Sequence, residues 1–308
     1  MSANTWTTSD LVTDILLLSH APTGNNTFTS TKILRLATLE LQTSVMKQIL
    51  ATRGGYYLDY EDYPIVDSGL YVIPSKAIAG ALVNVELVQT PSIIPVNLID
   101  ESEQLSTNSP TSTSYGFFMK GNFVQILPTP NIGVARLWYT GRTSDLILTS
   151  AACQVTAVSA AVVSVSSIPS TIIVGSSVDA CGDQPPFNIL GTRTITDITG
   201  TDITLDAEVD DLAIGDWIAL EGQTPVPQVP VEYRLILAQR VVCKIYELQG
   251  YLDKLSAAKK VLKEYEEYTA NLITPRVKSQ TKIINAITGG FLSSNQNNMT
   301  NFPAGRSS

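Results

Sequence analysis

The sequence is poor in charged residues. Only 16% of its 308 residues are Asp, Glu, Lys or Arg, whereas about 25% is usual for a soluble globular protein. The formal net charge is −8, and no run of basic residues offers the stripe that a nucleic-acid binder presents to phosphates. This composition argues against a protein that binds nucleic acid from solution. It is typical of a subunit that packs against other subunits, or of an extracellular β-rich protein.

Cysteine and histidine are also scarce. The three cysteines are Cys153, Cys181 and Cys243, and an odd number without CxxC spacing predicts neither a disulfide framework nor a zinc site. A Cys153–Cys181 bridge stays conceivable, but reduced thiols are the simpler interpretation. The single histidine, His20, lacks the ExxH or HxxxH context of a metal ligand, and we interpret it as a residue at the C-terminus of a helix.

Long apolar runs are missing as well. Stretches such as Ile15–Leu18 are far shorter than the roughly 20 residues that cross a bilayer, and the polar Met1–Asp10 segment lacks the basic start of a signal peptide. No glycine-rich nucleotide loop or GxSxG motif occurs. Two carboxylate clusters could serve acid–base or metal chemistry: Asp59, Glu61 and Asp62, and Asp100, Glu101 and Glu103. Neither has the spacing of a calcium-binding loop. We therefore predict no enzyme activity, cofactor or metal.

Helical signals stand at both ends of the chain. Thr7–Asp10 fits a capping box before a first helix, and Thr29 is the predicted N-cap of a second helix of about 22 residues, roughly 33 Å long, that ends at Gly54–Gly55. Pro230 begins a third helix that reaches Gly250, and a fourth ends at Pro275. We expect the last two helices to form a hairpin that packs on the first two.

Strand signals occupy the middle of the chain. Phe117–Leu127 predicts a hairpin through Gly121 and Asn122, and Val134–Tyr139 predicts a further strand. In residues 151–222, short strands recur about every 8 to 12 residues, which is typical of a small sandwich or barrel. Residues 276–308 are rich in Asn, Ser, Thr and Gly, and they predict an extended tail whose apolar residues dock on a partner.

The predicted fold class is therefore α+β. It combines a helical bundle of about four helices, a β-strand region, an inserted small all-β domain (sandwich or barrel) and an extended C-terminal tail. The predicted segments are 1–55 (N-terminal helices), 56–150 (β-rich region), 151–222 (inserted all-β module), 223–275 (C-terminal helical hairpin completing the bundle) and 276–308 (partner-docking tail).

Several segments, taken in order, carry a resemblance to a known family. The most informative is Pro227–Glu232 running into Leu237–Arg240. The others are Thr8–Leu11, Phe28–Thr29, Ile33–Ala37, Glu40–Leu41, Leu127–Pro130, Gly133, Arg136, Tyr139, Leu272–Val277 and Ile284–Asn285. Together they resemble the head-to-tail adaptor (connector) proteins of tailed bacteriophages. The likeness touches nearly the whole chain, and residues 151–222 are its least distinctive part.

The resemblance implies a ring, expected to have twelve subunits, that lies under the portal protein and forms part of the DNA conduit. The helical part would make the contacts between subunits, and the β parts would contact tail nozzle or tail tube proteins. Genomic DNA would pass through the lumen without sequence-specific binding. The chain would be a non-enzymatic virion protein of the neck, assembled in the host cytoplasm. The expected subunit-packing residues are Leu36, Leu41, Leu235, Val242, Ile245, Leu255 and Leu262, and the expected portal contacts are Ile283, Ile284, Ile287 and Phe291.

Two other functions stay open. A tail-associated receptor-binding, glycan-binding or decoration protein would use the 151–222 module and the tyrosines at 56, 57, 60 and 63 as its binding surface. Phe187 and Trp217 are the aromatic residues of that module, which is few for a sugar platform. A lytic enzyme is the third candidate, and the lack of a convincing acid–base pair weighs against it.

Overall fold

The computed structural model describes residues 6–20, 28–100, 115–184 and 188–273. Four helices occur in these ranges: α1 (Thr8–Leu18), α2 (Ser30–Glu40 continuing through a π-helical turn, Leu41–Val45, into Met46–Thr52), α3 (Arg234–Gln249) and α4 (Leu252–Ile273). The Asp10 carboxylate accepts a hydrogen bond from the Thr7 N–H, and the Thr29 hydroxyl accepts one from the Lys32 N–H. Both predicted helix caps are confirmed.

The helices share one hydrophobic core in which α3 is central. Buried side chains of α1, α2 and α3 meet there with Ala258 of α4. The core is completed by residues from outside these helices, which are Trp6, Phe28, Leu146, Val229 and Tyr233. α4 lies mainly against α3, and the turn between them uses Gly250 in the left-handed conformation, with a φ of 71°, as helix C-caps commonly do.

A seven-stranded, nearly closed sheet follows α2. Its spatial order is β1-β7-β3-β4-β5-β6-β2, and all neighbours are antiparallel except β4 and β5. The predicted hairpin through Gly121 is confirmed as β5 and β6. One face of the sheet buries a second core around Leu87, Ile126 and Leu137. The strands are β1 (Leu58–Pro64), β2 (Leu70–Val72), β3 (Ala77–Gln89), β4 (Ser92–Leu98), β5 (Gly116–Lys120), β6 (Phe123–Leu127) and β7 (Val134–Gly141).

Strand β1 is an edge of this sheet that resists pairing with another strand. It ends at Pro64, which has no N–H to donate, and it carries three exposed carboxylates, at residues 59, 61 and 62. The Tyr60 N–H donates to Oδ1 of Asp59 at 2.8 Å, so a donor on this strand is already satisfied. Proline and charge at an edge disfavour the addition of a further strand.

A closed six-stranded barrel is inserted between the sheet and α3, with the order β10-β13-β12-β11-β14-β9. Its interior is a third core, which includes Val163, Ile195 and Ile218. The barrel strands are β9 (Cys153–Ser159), β10 (Val162–Val165), β11 (Ser177–Cys181), β12 (Ile189–Thr199), β13 (Asp202–Leu205) and β14 (Trp217–Leu220).

The barrel is built from two equivalent halves whose residues are 40 positions apart: a first repeat, residues 153–181, and a second repeat, residues 193–221. The Val165 N–H donates to the Thr201 carbonyl, and the equivalent Leu205 N–H donates to the Ala161 carbonyl, both at 2.9 Å. A glycine with positive φ stands at the same place in each repeat, Gly175 (87°) and Gly215 (105°). Six strands close because two three-stranded units pair with each other around a pseudo-twofold axis.

The chain enters and leaves the barrel side by side. Strand β8 (Asp145–Leu146) and strand β15 (Gln223–Thr224) pair in parallel. The Leu146 N–H donates to the Thr38 hydroxyl of α2 at 3.0 Å. The Thr8 hydroxyl of α1 donates to the carbonyl of Ile147 at 2.6 Å. These bonds fix the base of the barrel to the helices.

The predicted fold class is wrong. The chain is a mixed α/β protein in which strands predominate, as one nearly closed sheet and one closed barrel, and the predicted helical bundle does not occur. The physical reason is that the helices do not bury one another on all sides: α4 lies mainly against α3, and strand and linker residues complete the core. The division into five segments stays a prediction, and the tail lies outside the described residues.

Candidate functional site

An exposed apolar surface lies where the start of α3 meets the end of α4. The Thr269 hydroxyl donates to the Glu232 carbonyl at 3.3 Å, which brings these two elements together. Single exposed apolar side chains are common on proteins, whereas a group of them suggests a contact surface. We call this group the hairpin-end surface: Val231 (58% exposed), Leu235 (52%), Tyr268 (65%) and Leu272 (52%).

Buried polar contacts hold the two helices behind this surface. Arg240 of α3 forms an ion pair with Glu266 of α4 and lies 3.8 Å from the carboxylate of Glu40. The Gln48 side-chain amide donates to the same Glu266 carboxylate at 2.9 Å. These contacts join α2, α3 and α4, so the hairpin-end surface is presented by a fixed scaffold.

Most of the expected subunit-packing residues contact their own chain. Leu41, Val242 and Ile245 are 0%, 1% and 1% exposed in the helical core, and Leu36, Leu255 and Leu262 are partly buried against it. Leu235 is exposed and belongs to the hairpin-end surface. A role for the whole set between subunits stays a prediction. The expected portal contacts, Ile283, Ile284, Ile287 and Phe291, lie outside the described residues.

A cleft separates the barrel from strand β1 of the sheet. It contains two cavities of about 460 and 570 Å³ that share lining residues, including Asp59, Lys76 and Glu221. Volumes of this size are typical of ligand pockets. The side chain of Lys76 extends into the cleft from the sheet side, so its contacts determine what the cleft can bind.

Lys76 forms an ion pair with the barrel, which we call the Lys76–Asp179 bridge. Its Nζ lies 3.0 Å from Oδ1 of Asp179 and 2.7 Å from the Thr192 hydroxyl. The Asp179 side chain is 0% exposed, and its Oδ2 accepts a hydrogen bond from the Gly222 N–H at 2.8 Å. Lys76 is thus engaged in holding the barrel to the sheet, which leaves this lysine unsuited to bind a ligand; Arg142 and Arg193 also line the cleft.

The first carboxylate cluster makes structural contacts with strand β7, Asp62 on the outer face of the sheet and Asp59 on the face of the buried Tyr139. Asp62 binds Arg136 of β7 through two hydrogen bonds of 2.8 Å, and Asp59 accepts a hydrogen bond from the Tyr139 hydroxyl at 3.3 Å. In the second cluster only Asp100 lies in the described part of the chain; Glu101 and Glu103 lie outside it. Cross-strand pairs of this kind stabilise a sheet, and the geometry does not isolate a carboxylate as an acid or base.

Four tyrosines near β1 stay neutral over the physiological range because their pKa values are raised: Tyr56, Tyr57, Tyr63 and Tyr139. Burial raises the pKa of Tyr56 to about 12, although Arg53 nearby opposes the shift. Burial also raises the pKa of Tyr57, Tyr63 and Tyr139. The Tyr57 hydroxyl donates to the Gln228 carbonyl at 2.8 Å. A neutral, hydrogen-bonded phenol serves packing rather than proton transfer.

The cysteines are free and buried. Cys153 faces the barrel core, whereas Cys181 belongs to a separate cluster with Val226 on the other side of the barrel wall, so the two side chains do not meet. Burial raises the pKa of Cys153 to about 11 and that of Cys181 to about 12. Both thiols therefore stay protonated and unreactive near neutral pH.

Within residues 6–20, 28–100, 115–184 and 188–273, no three His, Cys, Asp or Glu side chains are grouped to hold a metal ion. None of the described helices is both long and apolar enough to cross a membrane. The sequence-based reasoning missed the Lys76–Asp179 bridge, because Lys76 is an isolated lysine in the sequence and its partner lies 103 residues away. It also missed the 40-residue repeat, which alignment of residues 153–181 with 193–221 reveals directly.

No protein-family model matches this sequence, and a comparison with curated proteins finds no match.

Proposed function

We propose that this chain is a structural virion protein, a subunit of the head-to-tail adaptor ring of a tailed bacteriophage. In this role it joins the portal protein to tail nozzle or tail tube proteins in the neck of the virion, after assembly in the host cytoplasm. Twelve copies would surround a lumen through which genomic DNA passes without sequence-specific binding. No catalytic step is part of the proposal.

The observation that carries this proposal is the hairpin-end surface. It contains residues of two segments that carry the resemblance to adaptor proteins: Leu272 begins Leu272–Val277, and Val231 lies in Pro227–Glu232 at a position where the family commonly has an acidic residue. Residues far apart in the sequence thus contribute to the hairpin-end surface, where the end of α4 meets the start of α3. Exposed apolar groups on a fixed scaffold support a protein contact rather than a small-molecule site.

The test measures assembly with the portal protein of the same phage by mass photometry. The wild-type chain is expected to form one large assembly of defined mass in the presence of portal, and the mass gives the number of subunits. A double variant of the hairpin-end surface, Leu235→Ser with Leu272→Ser, is expected to stay small. The matched control Ile93→Ser, at a residue of β4 that is 58% exposed, is expected to assemble like the wild type. A wild-type chain that ignores the portal overturns the proposal.

A chain that ends at Pro275 tests the tail separately. It lacks Ile283, Ile284, Ile287 and Phe291, and we expect it to lose binding to portal while keeping its fold. Normal portal binding by this shortened chain would refute the assignment of these four residues. That result would not decide whether the chain forms a ring, which the variants of the hairpin-end surface test.

A receptor- or glycan-binding role is the second candidate, and one observation favours it. On the outer face of the sheet, Tyr60 (45% exposed) and Trp138 have ring centroids 4.9 Å apart. The Trp138 N–H donates to Glu86 at 2.8 Å, and the Arg136 guanidinium lies 4.1 Å from the Tyr60 ring centroid, so these groups are largely satisfied by one another. Binding in a glycan screen that Tyr60→Ala abolishes would favour this candidate over the adaptor.

A further inference from the structure

Nearly all of the net negative charge of the chain lies in the barrel. Residues 151–222 contain ten Asp and Glu and a single basic residue, Arg193, which gives a net charge of −9. The whole chain has a net charge of −8, so the remaining residues carry +1 together. Such a separation of charge between parts of one chain directs association between surfaces of opposite sign.

Within the barrel, the charge is confined to one of the two repeats. The first repeat, residues 153–181, contains one carboxylate, and the second, residues 193–221, contains eight. The equivalent positions of Glu208, Asp210 and Asp211 are occupied by Ile168, Ser170 and Thr171.

The first repeat acts as an internal control for the second. Both repeats make the same backbone hydrogen bonds: Gly175 N–H donates to the carbonyl of Ile195 at 2.8 Å, and Gly215 N–H donates to that of Val155 at 3.0 Å. The strands and these bonds therefore form without carboxylates at the positions of Glu208 and Asp210. At the third position the repeats differ, because Asp211 has a positive φ of 62°, a conformation in which Asp is enriched. We call Glu208, Asp210 and Asp211 the acidic surface.

The acidic surface is exposed, and the cation beside it is Arg193, whose guanidinium donates to the Glu208 backbone carbonyl at 2.9 and 3.1 Å. Glu208, Asp210 and Asp211 are exposed, and none of them forms an ion pair with another described residue. Ile214, which follows in the same loop, is 72% exposed. The acidic surface thus combines three like charges with an apolar side chain.

A surface of opposite sign lies on the first half of α4, whose outer face packs against no described element. We call it the lysine face: Lys259, Lys260 and Lys263, all exposed. The three lysines span about 6 Å along the helix. Lys259 and Lys260 form no ion pair within the described chain, while Lys263 lies 3.7 Å from Glu267. Leu252, which begins the helix, is 75% exposed, so this face also pairs charge with an apolar residue.

We propose that the acidic surface of one copy docks on the lysine face of α4 in the next copy. This contact rests on the proposed ring, because a ring requires two different surfaces on each subunit that complement each other around the circle. Every copy supplies one acidic surface and one lysine face, so each copy is bound on both sides. Contact with DNA or with a foreign basic protein would leave one of the two surfaces unused.

The test uses two charge-reversed full-length variants. The barrel-reversed variant carries Glu208→Lys with Asp210→Lys, and the helix-reversed variant carries Lys259→Glu with Lys260→Glu. Self-association is measured by sedimentation velocity without portal, from about 0.01 M salt, where the Debye length is about 30 Å, to about 1 M, where it is about 3 Å. The wild type is expected to associate at low salt and to dissociate at high salt.

Each reversed variant alone is expected to associate at least about tenfold more weakly, because its lysine or glutamate pairs meet like charges. A one-to-one mixture is expected to regain wild-type association, since the reversed barrel then meets the reversed helix and the native surfaces meet each other. Recovery in the mixture also shows that both variants are folded. The control Lys47→Glu with Lys120→Glu has the same change in net charge as the helix-reversed variant and is expected to associate normally.

Carbodiimide cross-linking of Lys to carboxylates, in a mixture of ¹⁴N and ¹⁵N chains, identifies contacts between copies. Cross-links of Lys259 or Lys260 to Glu208, Asp210 or Asp211 on another copy are expected. A chain that stays monomeric at low salt without these cross-links overturns the contact, as does a mixture that fails to recover. Neither of these results bears on portal binding, because portal is absent from the experiment. The opposite combination, in which the cross-links form but the chain does not bind portal, would overturn the adaptor role instead.

Discussion

The Lys76–Asp179 bridge gives a quantitative prediction about how the barrel is held. Replacing Lys76 by Met keeps the length of the side chain and removes its ammonium group. The Asp179 carboxylate, which is 0% exposed, then keeps only the hydrogen bonds from Thr192 and Gly222. A buried carboxylate without its cation is unfavourable, so we expect the variant to be less stable.

The size of this effect follows from the burial of the two groups. Removing one partner of a buried ion pair typically costs about 3 to 5 kcal/mol. Two features reduce that value here: Lys76 is 30% exposed, and Asp179 keeps two donors. We therefore expect a loss of about 2 to 4 kcal/mol for Lys76→Met. Asp179→Asn keeps a side-chain acceptor and removes the buried charge, so a smaller loss of about 1 to 2 kcal/mol is expected.

Hydrogen exchange of peptides from residues 177–222 measures this free energy where it acts, because a chain with several separate cores does not unfold in a single step. The matched control is Lys244→Met, which removes a lysine whose ion pair with Glu247 is about half exposed. We expect the control to change stability by less than about 0.5 kcal/mol. Protection of the barrel in Lys76→Met that equals the control would refute the assignment of the bridge.

Three further outcomes follow from the structure. Leu41→Ala is expected to lower the stability of the helical core by about 2 to 5 kcal/mol because Leu41 is fully buried, as measured by hydrogen exchange of peptides from α2 and α3. Leu235→Ala, at an exposed residue, is expected to leave this exchange unchanged and to weaken assembly instead. Asp216→Ser is expected to lower the stability of the barrel by no more than about 1.5 kcal/mol. At the equivalent position of the first repeat, Ser176 accepts the corresponding loop N–H bond at 3.2 Å. A loss of stability as large as that of Asp216→Ala would show that the two repeats are not equivalent at this position. Cys181, whose pKa burial raises to about 12, is expected to react with a thiol reagent at pH 8 only after denaturant is added, and rapid labelling of the native chain would refute its burial.

Local signals in the sequence predicted individual elements well. The hydroxyl of Thr29 caps α2 as expected, and the turn at Gly121 joins β5 to β6 as expected. These features depend on a few neighbouring residues, whose hydrogen-bonding groups and backbone preferences the sequence states directly. The π-helical turn at Leu41–Val45 was not predicted, because the apolar period continues through it.

The arrangement of the elements was not predictable in the same way. The apolar stripe of α4 indicates that one side is buried, but not which partner covers it. Among the described side chains of that helix, Ala258 and Thr269 are the buried ones. Val229 lies among prolines and before α3, where no helical period indicates burial, yet it is 0% exposed in the helical core. Periodicity reports burial and leaves the partner open, so the inference of a bundle was wrong although its helices exist.

The barrel contains two repeats, residues 153–181 and 193–221, whose sequences can be compared position by position. Residues that occur at equivalent positions of both repeats are those that the shared strands and hydrogen bonds require. Residues that occur in one repeat only are not required by them. Glycine with positive φ is kept in both halves at 175 and 215, because that backbone conformation favours glycine. The carboxylates at 208 and 210 occur in one half only, so the reason for them lies outside the barrel, in what the barrel meets.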